Sequence, residues 1–324
     1  MTGERESWKL PVALAAIYLI WGSTYLAIRV MVDSIPPLLG AGVRFALAGA
    51  IFYLVVVLCS GAAAIRVRPV ELAGAAATGT LLMFGGNGLV TIAEQDVPSG
   101  LAALIIGAVP LWVVVFRLLA RERVAPVTIA GVLLGFAGLA LLVLPGDRPG
   151  DAPLWGVLVL VAASISWASG SFYSRTWPLP RDLVVSVATQ MLAGGVLMIL
   201  VGLAAGEGGR VDLAHVSLDS ALAFAYLVAI GSLVAFTAYG WLLKNARIST
   251  VATYAFVNPV VAVFLGWAIL SEEVTSAVIA GTLAIVASVA FVVRRENGAA
   301  QERAPRAHAR RASRFGRRLP GLVK

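Results

Sequence analysis

Histidine and cysteine are scarce in this sequence of 324 residues, which contains two histidines and one cysteine. The lone cysteine, Cys59, cannot form a disulfide within the chain, and the Cys/His clusters of metal sites are missing. The two histidines, His215 and His308, fall in a predicted loop and in the C-terminal tail. The sequence therefore predicts no metal, no cofactor and no membrane-embedded Ser/His pair of a protease.

Motifs for enzyme chemistry are missing as well. The sequence contains neither a G-x-x-x-x-G-K-[ST] phosphate loop nor an H-E-x-x-H metalloprotease motif. A lipid-linked sugar transferase would need clustered acidic residues at a membrane face, and only Glu272-Glu273 approaches such a cluster. We predict that the chain is not an enzyme and does not itself hydrolyse ATP.

Charge is also in short supply. Charged residues make up 13% of the chain and apolar residues 60%, and the mean hydropathy is +0.91. A soluble fold covers its surface with charge, and this chain has too little to do so. The net charge of +8 would suit a nucleic-acid partner, but most basic residues lie between apolar runs or in the last thirty residues. We expect a membrane protein that binds no nucleic acid.

Long apolar runs are what the sequence does contain. A bilayer core of ~30 Å needs roughly 20 apolar residues in a helix, and continuous runs of this length favour helices over the alternating strands of a barrel. We predict an all-α membrane protein with ten transmembrane helices. The predicted spans are 9–28, 38–59, 71–92, 98–119, 125–144, 154–173, 183–204, 219–243, 248–270 and 275–293.

The distribution of Lys and Arg predicts the orientation of these spans, because cytoplasmic loops are richer in basic residues. With both termini in the cytoplasm, eleven basic residues fall on the inner side and three on the outer side. The inner set is Arg5, Lys9, Arg66, Arg68, Arg117, Arg121, Arg123, Arg175, Arg181, Lys244 and Arg247; the outer set is Arg29, Arg148 and Arg210. The sequence predicts an integral protein of the cytoplasmic membrane.

The two halves of the chain resemble each other at nearly constant spacing. Trp21, Ser23 and Arg29 match Trp167, Ser169 and Arg175 at a shift of 146 positions, and further matches follow at shifts of 145 and 150. Each half holds five predicted spans, an odd number, so the second half enters the membrane from the opposite face. Secondary transporters use such inverted repeats and bind their solute between them.

Several motifs together resemble the drug/metabolite transporter superfamily, specifically proteins with two EamA-type domains. The resemblance covers roughly residues 8 to 293 and implies a ten-helix permease with cytoplasmic termini, often an exporter of amino acids, metabolites or drugs. The residues that carry it are Ile20-Trp21-Gly22-Ser23-Thr24-Tyr25, Gly40-Ala41-Gly42-Val43-Arg44-Phe45, Gly86-Asn87-Gly88, Ala93-Glu94, Pro98-Ser99-Gly100-Leu101-Ala102-Ala103, Ser166-Trp167-Ala168-Ser169-Gly170-Ser171 and Tyr254-Ala255-Phe256-Val257-Asn258-Pro259-Val260.

Two prolines lie deep in corresponding spans, Pro110 in the fourth and Pro259 in the ninth. Each deprives the carbonyl four residues earlier of a hydrogen bond, and paired interruptions of this kind point to a transporter's binding site. A kink that only shapes helix packing is the alternative. Tyr254 and Asn258 share a helix face just before Pro259, and Trp112 follows Pro110 by two positions.

Arg44 is the most costly residue to place in the membrane. It lies about 9 Å inside the second span, where an arginine must pair, reach the interface or face a cavity. Its expected partner is Glu94, which completes a polar stripe with Asn87 and Thr91 along the third span. We hypothesise that Arg44 and Glu94 form part of an extracellular gate or bind a charged group of the solute; a static pair holding helix ends is the alternative.

Aromatic residues in the first spans of both halves are further candidates for a solute pathway. Trp21 and Tyr25 share a face of the first span with Thr24, and Trp167 lies at the matching position of the sixth. Such side chains line a cavity, or else lie at the membrane interface or in helix contacts. The predicted pathway comprises Trp21, Tyr25, Arg44, Asn87, Glu94, Pro110, Trp112, Trp167, Tyr254, Asn258 and Pro259.

The sequence as a whole predicts a secondary transporter that exports small metabolites, amino acids or drugs by alternating access. Its expected parts are an EamA-like five-helix repeat over 1–147, a second over 148–295 with a central cavity between the two, and a basic cytoplasmic tail over 296–324. The tail is expected to be a solvated segment or an amphipathic helix that contacts anionic lipids. A membrane scaffold or sensor without transport activity is the alternative function, and a homodimer is compatible with the sequence.

Overall fold

A computed structural model describes residues 8–143, 152–246, 248–251, 253–292 and 294 of the chain. Every segment of regular secondary structure in these ranges is helical. The predicted basic tail over 296–324 and the predicted domain boundaries at 147 and 295 lie outside the described residues.

Ten apolar helices make up the described bundle. Seven of them are long and apolar enough to cross a membrane, and the other three, α5, α9 and α10 below, are shorter. In chain order the helices are α1 (Lys9–Met31), α2 (Pro37–Ser60), α3 (Pro69–Ala93), α4 (Ser99–Leu119), α5 (Pro126–Leu142), α6 (Leu154–Tyr173), α7 (Leu183–Ala204), α8 (Leu218–Leu243), α9 (Tyr254–Leu270) and α10 (Ser276–Val292).

The predicted spans coincide with these helices to within a few residues at most ends, with one clear correction. The predicted ninth span, 248–270, is not continuous, because a separate short helix over Ile248–Val251 precedes α9. Thr253 then takes a turn conformation before α9 begins at Tyr254. The apolar composition of the segment gives no hint of this break, which shortens the helix that carries Asn258 and Pro259.

Three of the helices contain irregular turns. In α3 the segment Thr80–Gly88 is π-helical, and in α8 the segment Leu227–Val234 is π-helical too. The two segments begin 147 positions apart, close to the shifts that relate the halves of the sequence. In α4 the helix is interrupted at Gly107 and Ala108, two positions before Pro110. Such irregular turns are common at functional sites because they redirect side chains and free backbone groups.

Small residues allow α2 and α7 to pack closely along their length. A methyl group added to Gly195 would lie 2.6 Å from the backbone nitrogen of Ala46 and 2.8 Å from the carbonyl oxygen of Gly42. At Gly49 the same addition would lie 2.9 Å from the carbonyl oxygen of Ala188. Lipid tails are as apolar as the helix surfaces, so the hydrophobic effect does not drive helices together in a membrane. Close packing of the two backbones, made possible by small residues, stabilises the helix pair instead.

Two glutamates join the helices at one end of the bundle, called the glutamate end below. Helices α2 and α4 both begin after a proline, Pro36 and Pro98, whose side chain cannot cap the helix. The Glu207 carboxylate instead accepts hydrogen bonds from the first N–H groups of α2, and the Glu272 carboxylate does the same for α4. Each glutamate thus satisfies free N–H groups and lies at the positive end of a helix dipole.

Candidate functional site

A cavity of about 140 Å³ lies near the middle of the bundle. Its wall takes residues from α1, α2, α3, α4, α6, α8 and α9, and therefore from both halves of the chain. Nine of the eleven residues predicted for a solute pathway line it. They are Trp21, Tyr25, Arg44, Asn87, Pro110, Trp167, Tyr254, Asn258 and Pro259.

The other two predicted residues, Trp112 and Glu94, do not line the cavity. The indole ring of Trp112 packs edge-to-face on Phe136 of α5, with the ring centroids 4.6 Å apart. Trp112 lies two positions after Pro110, and this spacing turns its side chain away from the face of α4 that meets the cavity. Trp112 thus lies away from this cavity, and its place in a solute pathway stays a prediction.

Arg44 is almost fully buried, with 3% of its surface exposed. Its Nε donates a hydrogen bond to Ser232 Oγ (3.1 Å), and the Ser232 hydroxyl donates in turn to the carbonyl oxygen of Leu227 (3.0 Å). The guanidinium lies over the ring of Phe45, with its central carbon 4.6 Å from the ring centroid. Among the described residues this is the whole set of hydrogen bonds that Arg44 makes, so most of its five N–H groups have no protein acceptor.

Glu94 lies just after α3 at the glutamate end and is completely buried. Its backbone carbonyl accepts a hydrogen bond from Arg29 Nη1 (2.8 Å), which ties the ends of α1 and α3 together. Neither carboxylate oxygen has a hydrogen-bond partner among the described residues. The expected contact between Glu94 and Arg44 is absent, because Arg44 is held by Ser232 of the π-helical segment in α8 instead.

The two prolines present backbone acceptors to the cavity. Pro259 lies inside α9 and leaves the carbonyl of Ala255 without its helical partner, as Pro110 does for Ile106 in α4. Both Ala255 and Ile106 belong to the cavity wall. Next to Pro259, the side-chain oxygen of Asn258 is buried and has no hydrogen-bond partner in the described part of the chain. The wall therefore offers acceptors from α4 and α9 as well as the donors of Arg44.

A second space of about 540 Å³, called the vestibule below, extends from the cavity toward the end of the bundle opposite the glutamate end. It is lined by residues near the end of α6 and the beginning of α7, including Ser174 and Leu183. Four aromatic residues line both the cavity and the vestibule, and they are called the aromatic partition below. These are Trp21, Trp167, Phe236 and Tyr254.

Trp21 is the centre of the aromatic partition. Its ring centroid lies 5.4 Å from that of Phe236 and 5.1 Å from that of Tyr254, both in edge-to-face geometry. A third ring, that of Tyr239, lies 5.2 Å away. Contacts of this geometry are favourable beyond the area that they bury, so they stabilise the arrangement of these rings.

Sequence reasoning gave no role in the cavity to Phe45 and Phe236, which line it, or to Ser232, which binds Arg44. A serine or a phenylalanine in an apolar span carries no signal by itself, because both are frequent in membrane helices. The π-helical turns that aim Ser232 at Arg44 have no signature in the apolar pattern either. No group of three metal-ligating side chains occurs among the residues that the structure describes.

Comparison with known proteins shows which family this sequence resembles. The model of the EamA-like transporter family matches residues 9–144 and again residues 154–294. The inner membrane transporter YedA of Escherichia coli (strain K12) is 41% identical over 264 residues, which cover 81% of this chain and 83% of YedA. A protein of Salmonella typhimurium (strain LT2) described as a "probable amino-acid metabolite efflux pump" is 26% identical over 283 residues, covering 84% and 91%.

A solved crystal structure shares the fold, with a TM-score of 0.61 and 23% identity over 88% of this chain and 98% of that chain. Two matches to the same family model, one in each half, also account for the internal repeat in the sequence. The apolar helices and the relatives agree on a membrane protein. The chain belongs to the EamA-like transporter family.

Proposed function

We propose that the chain is a secondary transporter that exports small metabolites, amino acids or drugs by alternating access. The observation that carries this proposal is the single cavity whose wall is shared by the two EamA-matching segments. Arg44 and Asn87 come from the first segment, and Trp167 and Asn258 from the second. A solute bound between two such segments is released to one side or the other when they rock against each other.

The proposed architecture has ten membrane-crossing helices in two inverted repeats, over 1–147 and 148–295. The directions of α1 and α6 support the inversion. Helix α1 ends at the glutamate end, where Arg29 bonds the backbone after α3. Helix α6 begins there, because Gly156 lies against Val97 of the loop between α3 and α4. The shorter helices α5, α9 and α10 are apolar enough to cross the membrane if the bilayer thins around them.

In the proposed orientation the glutamate end faces the outside and both termini are cytoplasmic. The excess of Lys and Arg in the loops of the opposite end supports this orientation. The vestibule then opens toward the cytoplasm and the outer side is closed. A closed outer side is consistent with Glu207 and Glu272, each of which ties a segment of the second half to a helix of the first.

The size and wall of the cavity favour a small solute. A volume of about 140 Å³ lies below the roughly 300–1,000 Å³ of pockets that hold drug-sized ligands, so amino acids and small metabolites fit the proposal better than bulky drugs. The name of the Salmonella relative, an amino-acid metabolite efflux pump, agrees with this size class.

Alternating access can be tested without knowing the solute. Cys59, the only cysteine, is exposed and is removed as Cys59→Ser; Thr24→Cys then adds one reporter thiol in the cavity wall. A membrane-impermeant methanethiosulfonate reagent is applied to intact cells and to inverted vesicles. We expect labelling from both sides, because the cavity opens to each side in turn.

Two loop reporters serve as controls for sidedness. Asp212→Cys in the Cys59→Ser background should label only in intact cells, and Arg66→Cys only in inverted vesicles. If the loop thiols label as expected while the Thr24→Cys thiol reacts from one side alone, the chain has a fixed pocket. That result would refute alternating access and favour the scaffold or sensor.

A further inference from the structure

The cavity wall carries one permanent charge and it is positive. Arg44 is the only charged residue on the wall among the described residues, and a guanidinium stays protonated in proteins. Among the described residues no carboxylate makes a hydrogen bond with Arg44: the Glu94 oxygens have no hydrogen-bond partner there, and Glu272 binds the backbone of α4. A buried cation without an anionic partner is costly, and a bound anion would remove that cost.

The remaining wall is aromatic or apolar. Trp21, Tyr25, Trp167 and Tyr254 line the cavity. The other polar residues on the wall, besides Arg44, are Thr24, Asn87 and Asn258. Aromatic surfaces of this kind bind a flat or bulky apolar body. They would also bind a cation through their faces, but a cationic solute would be repelled by Arg44 in the same small cavity.

We propose that the solute of this carrier is an amphipathic carboxylate, whose carboxylate binds Arg44 and whose apolar body packs against the aromatic wall. This inference rests on the proposed transport function and narrows its solute class. Arginine binds a carboxylate through two parallel N–H donors, and Ser232 fixes the guanidinium through Nε, the nitrogen at its base. The terminal nitrogens Nη1 and Nη2 therefore remain for the solute.

Asn258 supplies a second contact that distinguishes members of this class. Its side-chain oxygen is buried and has no hydrogen-bond partner in the described ranges, and Asn258 lies on the cavity wall, so this oxygen can accept a hydrogen bond from an N–H or O–H group of the solute. The free-energy cost of leaving a buried acceptor without a hydrogen bond is larger than the net stabilisation from an ordinary hydrogen bond. A carboxylate that also carries such a donor binds more tightly than one that lacks it.

Three probes that share a phenyl ring separate these contributions: 3-phenylpropionate, phenylalanine and phenethylamine. Binding to the purified full-length chain in detergent is measured by titration calorimetry. We expect both carboxylates to bind, phenylalanine more tightly, and phenethylamine to bind at least about tenfold more weakly than either, from the usual strength of a charged hydrogen bond. Equal or tighter binding of phenethylamine would overturn the proposal, as would the absence of binding by both carboxylates.

Substitutions in the cavity wall test which side chain binds the carboxylate of the solute. Arg44→Gln should weaken both carboxylates about ten- to a hundredfold, and Arg44→Lys, which keeps the charge but loses the paired donors, should weaken them less. Arg175→Gln, at an exposed position after α6, is the matched control and should leave binding unchanged. Asn258→Ala should weaken phenylalanine but not 3-phenylpropionate. Unchanged carboxylate binding in Arg44→Gln contradicts the assignment.

The outcome of these binding measurements is independent of the outcome of the transport test. The thiol-labelling experiment uses no solute, so alternating access can hold while the carboxylate assignment fails. If Arg44→Gln does not fold, the discrimination among the three probes by the unmodified chain still decides the proposal.

Discussion

The carboxylate of Glu272 accepts a hydrogen bond from the backbone N–H of Ser99 at 2.7 Å, across 173 positions of sequence. The same carboxylate takes the N–H of Gly100 at 2.9 Å. A loop residue of the second half thereby completes the first turn of α4 in the first half. Because Pro98 cannot cap that turn itself, the proposed opening of the glutamate end would leave these N–H groups without their partner.

We predict that Glu272→Gln shifts the carrier toward opening at the glutamate end. Glutamine offers one acceptor oxygen where the carboxylate offers two, and it lacks the negative charge that favours a helix N-terminus. A loss of one or two kcal/mol changes an equilibrium by a factor of about 5–30. In the Cys59→Ser, Thr24→Cys background, labelling from outside should become faster by about that factor.

The matched control for this prediction is Glu273→Gln. Glu273 is the next residue and is exposed, and the hydrogen bonds to α4 come from Glu272 alone. Its substitution changes the net charge of the loop by the same amount and should leave the labelling rate unchanged. An equal acceleration in both variants would assign the effect to loop charge and would remove the role given to the contact with Ser99.

Two further buried glutamates should respond in different ways to the same substitution. Glu207 is 2% exposed, and its oxygens accept from the N–H groups of Leu38 and Leu39 at 3.2 and 2.9 Å. Glu207→Gln therefore leaves a buried donor without a good acceptor, at a cost of about 1–3 kcal/mol. Within the part of the chain that the structure describes, neither carboxylate oxygen of Glu94 has a hydrogen-bond partner, so Glu94→Gln should cost less than this or even stabilise the fold.

Thermal unfolding of the two purified variants in one detergent measures this difference directly. We expect a lower midpoint for Glu207→Gln than for Glu94→Gln. The reverse order would mean that the Glu94 carboxylate makes a contact in the membrane that the structure lacks, and an ion pair with Arg44 would then be the first to consider.

A third prediction concerns the packing of α2 on α7. Gly195→Ala places a methyl group 2.6 Å from the nitrogen of Ala46 and 2.8 Å from the oxygen of Gly42. Both are backbone atoms and cannot rotate away, so the helices must separate, at the roughly 1–3 kcal/mol typical of overpacking. Gly209→Ala, where an added methyl group meets no atom within 4 Å, is the control. Similar midpoints of thermal unfolding for the two variants would refute the close approach.

The helices were predictable because their signal is local. Runs of apolar residues predict each helix to within a few residues at most ends, and the paired prolines Pro110 and Pro259 both lie on the cavity wall. Nine predicted pathway residues do line one cavity, since spacing along a helix determines which side chains share a face. That periodic spacing also explains why Trp112, two positions beyond Pro110, lies on another face.

The contacts between distant segments were not predictable from the pattern. Arg44 needed a polar partner, and the sequence offered Glu94 because it is charged and lies near the same membrane face. The observed partner, Ser232, is uncharged and is aimed at Arg44 by a π-helical turn that no periodicity marks. In the same way the Glu272 carboxylate caps a helix whose residue Gly100 lies 172 positions earlier in sequence. Which residues form such pairs depends on how distant helices pack against each other in the fold.

The last prediction concerns the aromatic partition between the cavity and the vestibule. Trp21 touches Phe236, Tyr239 and Tyr254, so Trp21→Ala removes the shared ring and widens the passage. In the Cys59→Ser, Thr24→Cys background we expect faster labelling from the vestibule side, measured in inverted vesicles. Labelling in intact cells should change little, because the hydrogen bonds of Glu207 and Glu272 at the glutamate end remain.

Trp155→Ala is the matched control, because Trp155 lies near the start of α6 with 45% of its surface exposed and lines neither space. Loss of the half-buried Trp21 indole also lowers stability, by at most about 3–5 kcal/mol, so labelling is compared at a temperature where both variants are folded. Faster labelling from both sides would indicate general loosening of the bundle. Faster labelling from the vestibule side alone identifies the partition as the barrier on that side, and no acceleration would show that the barrier lies elsewhere.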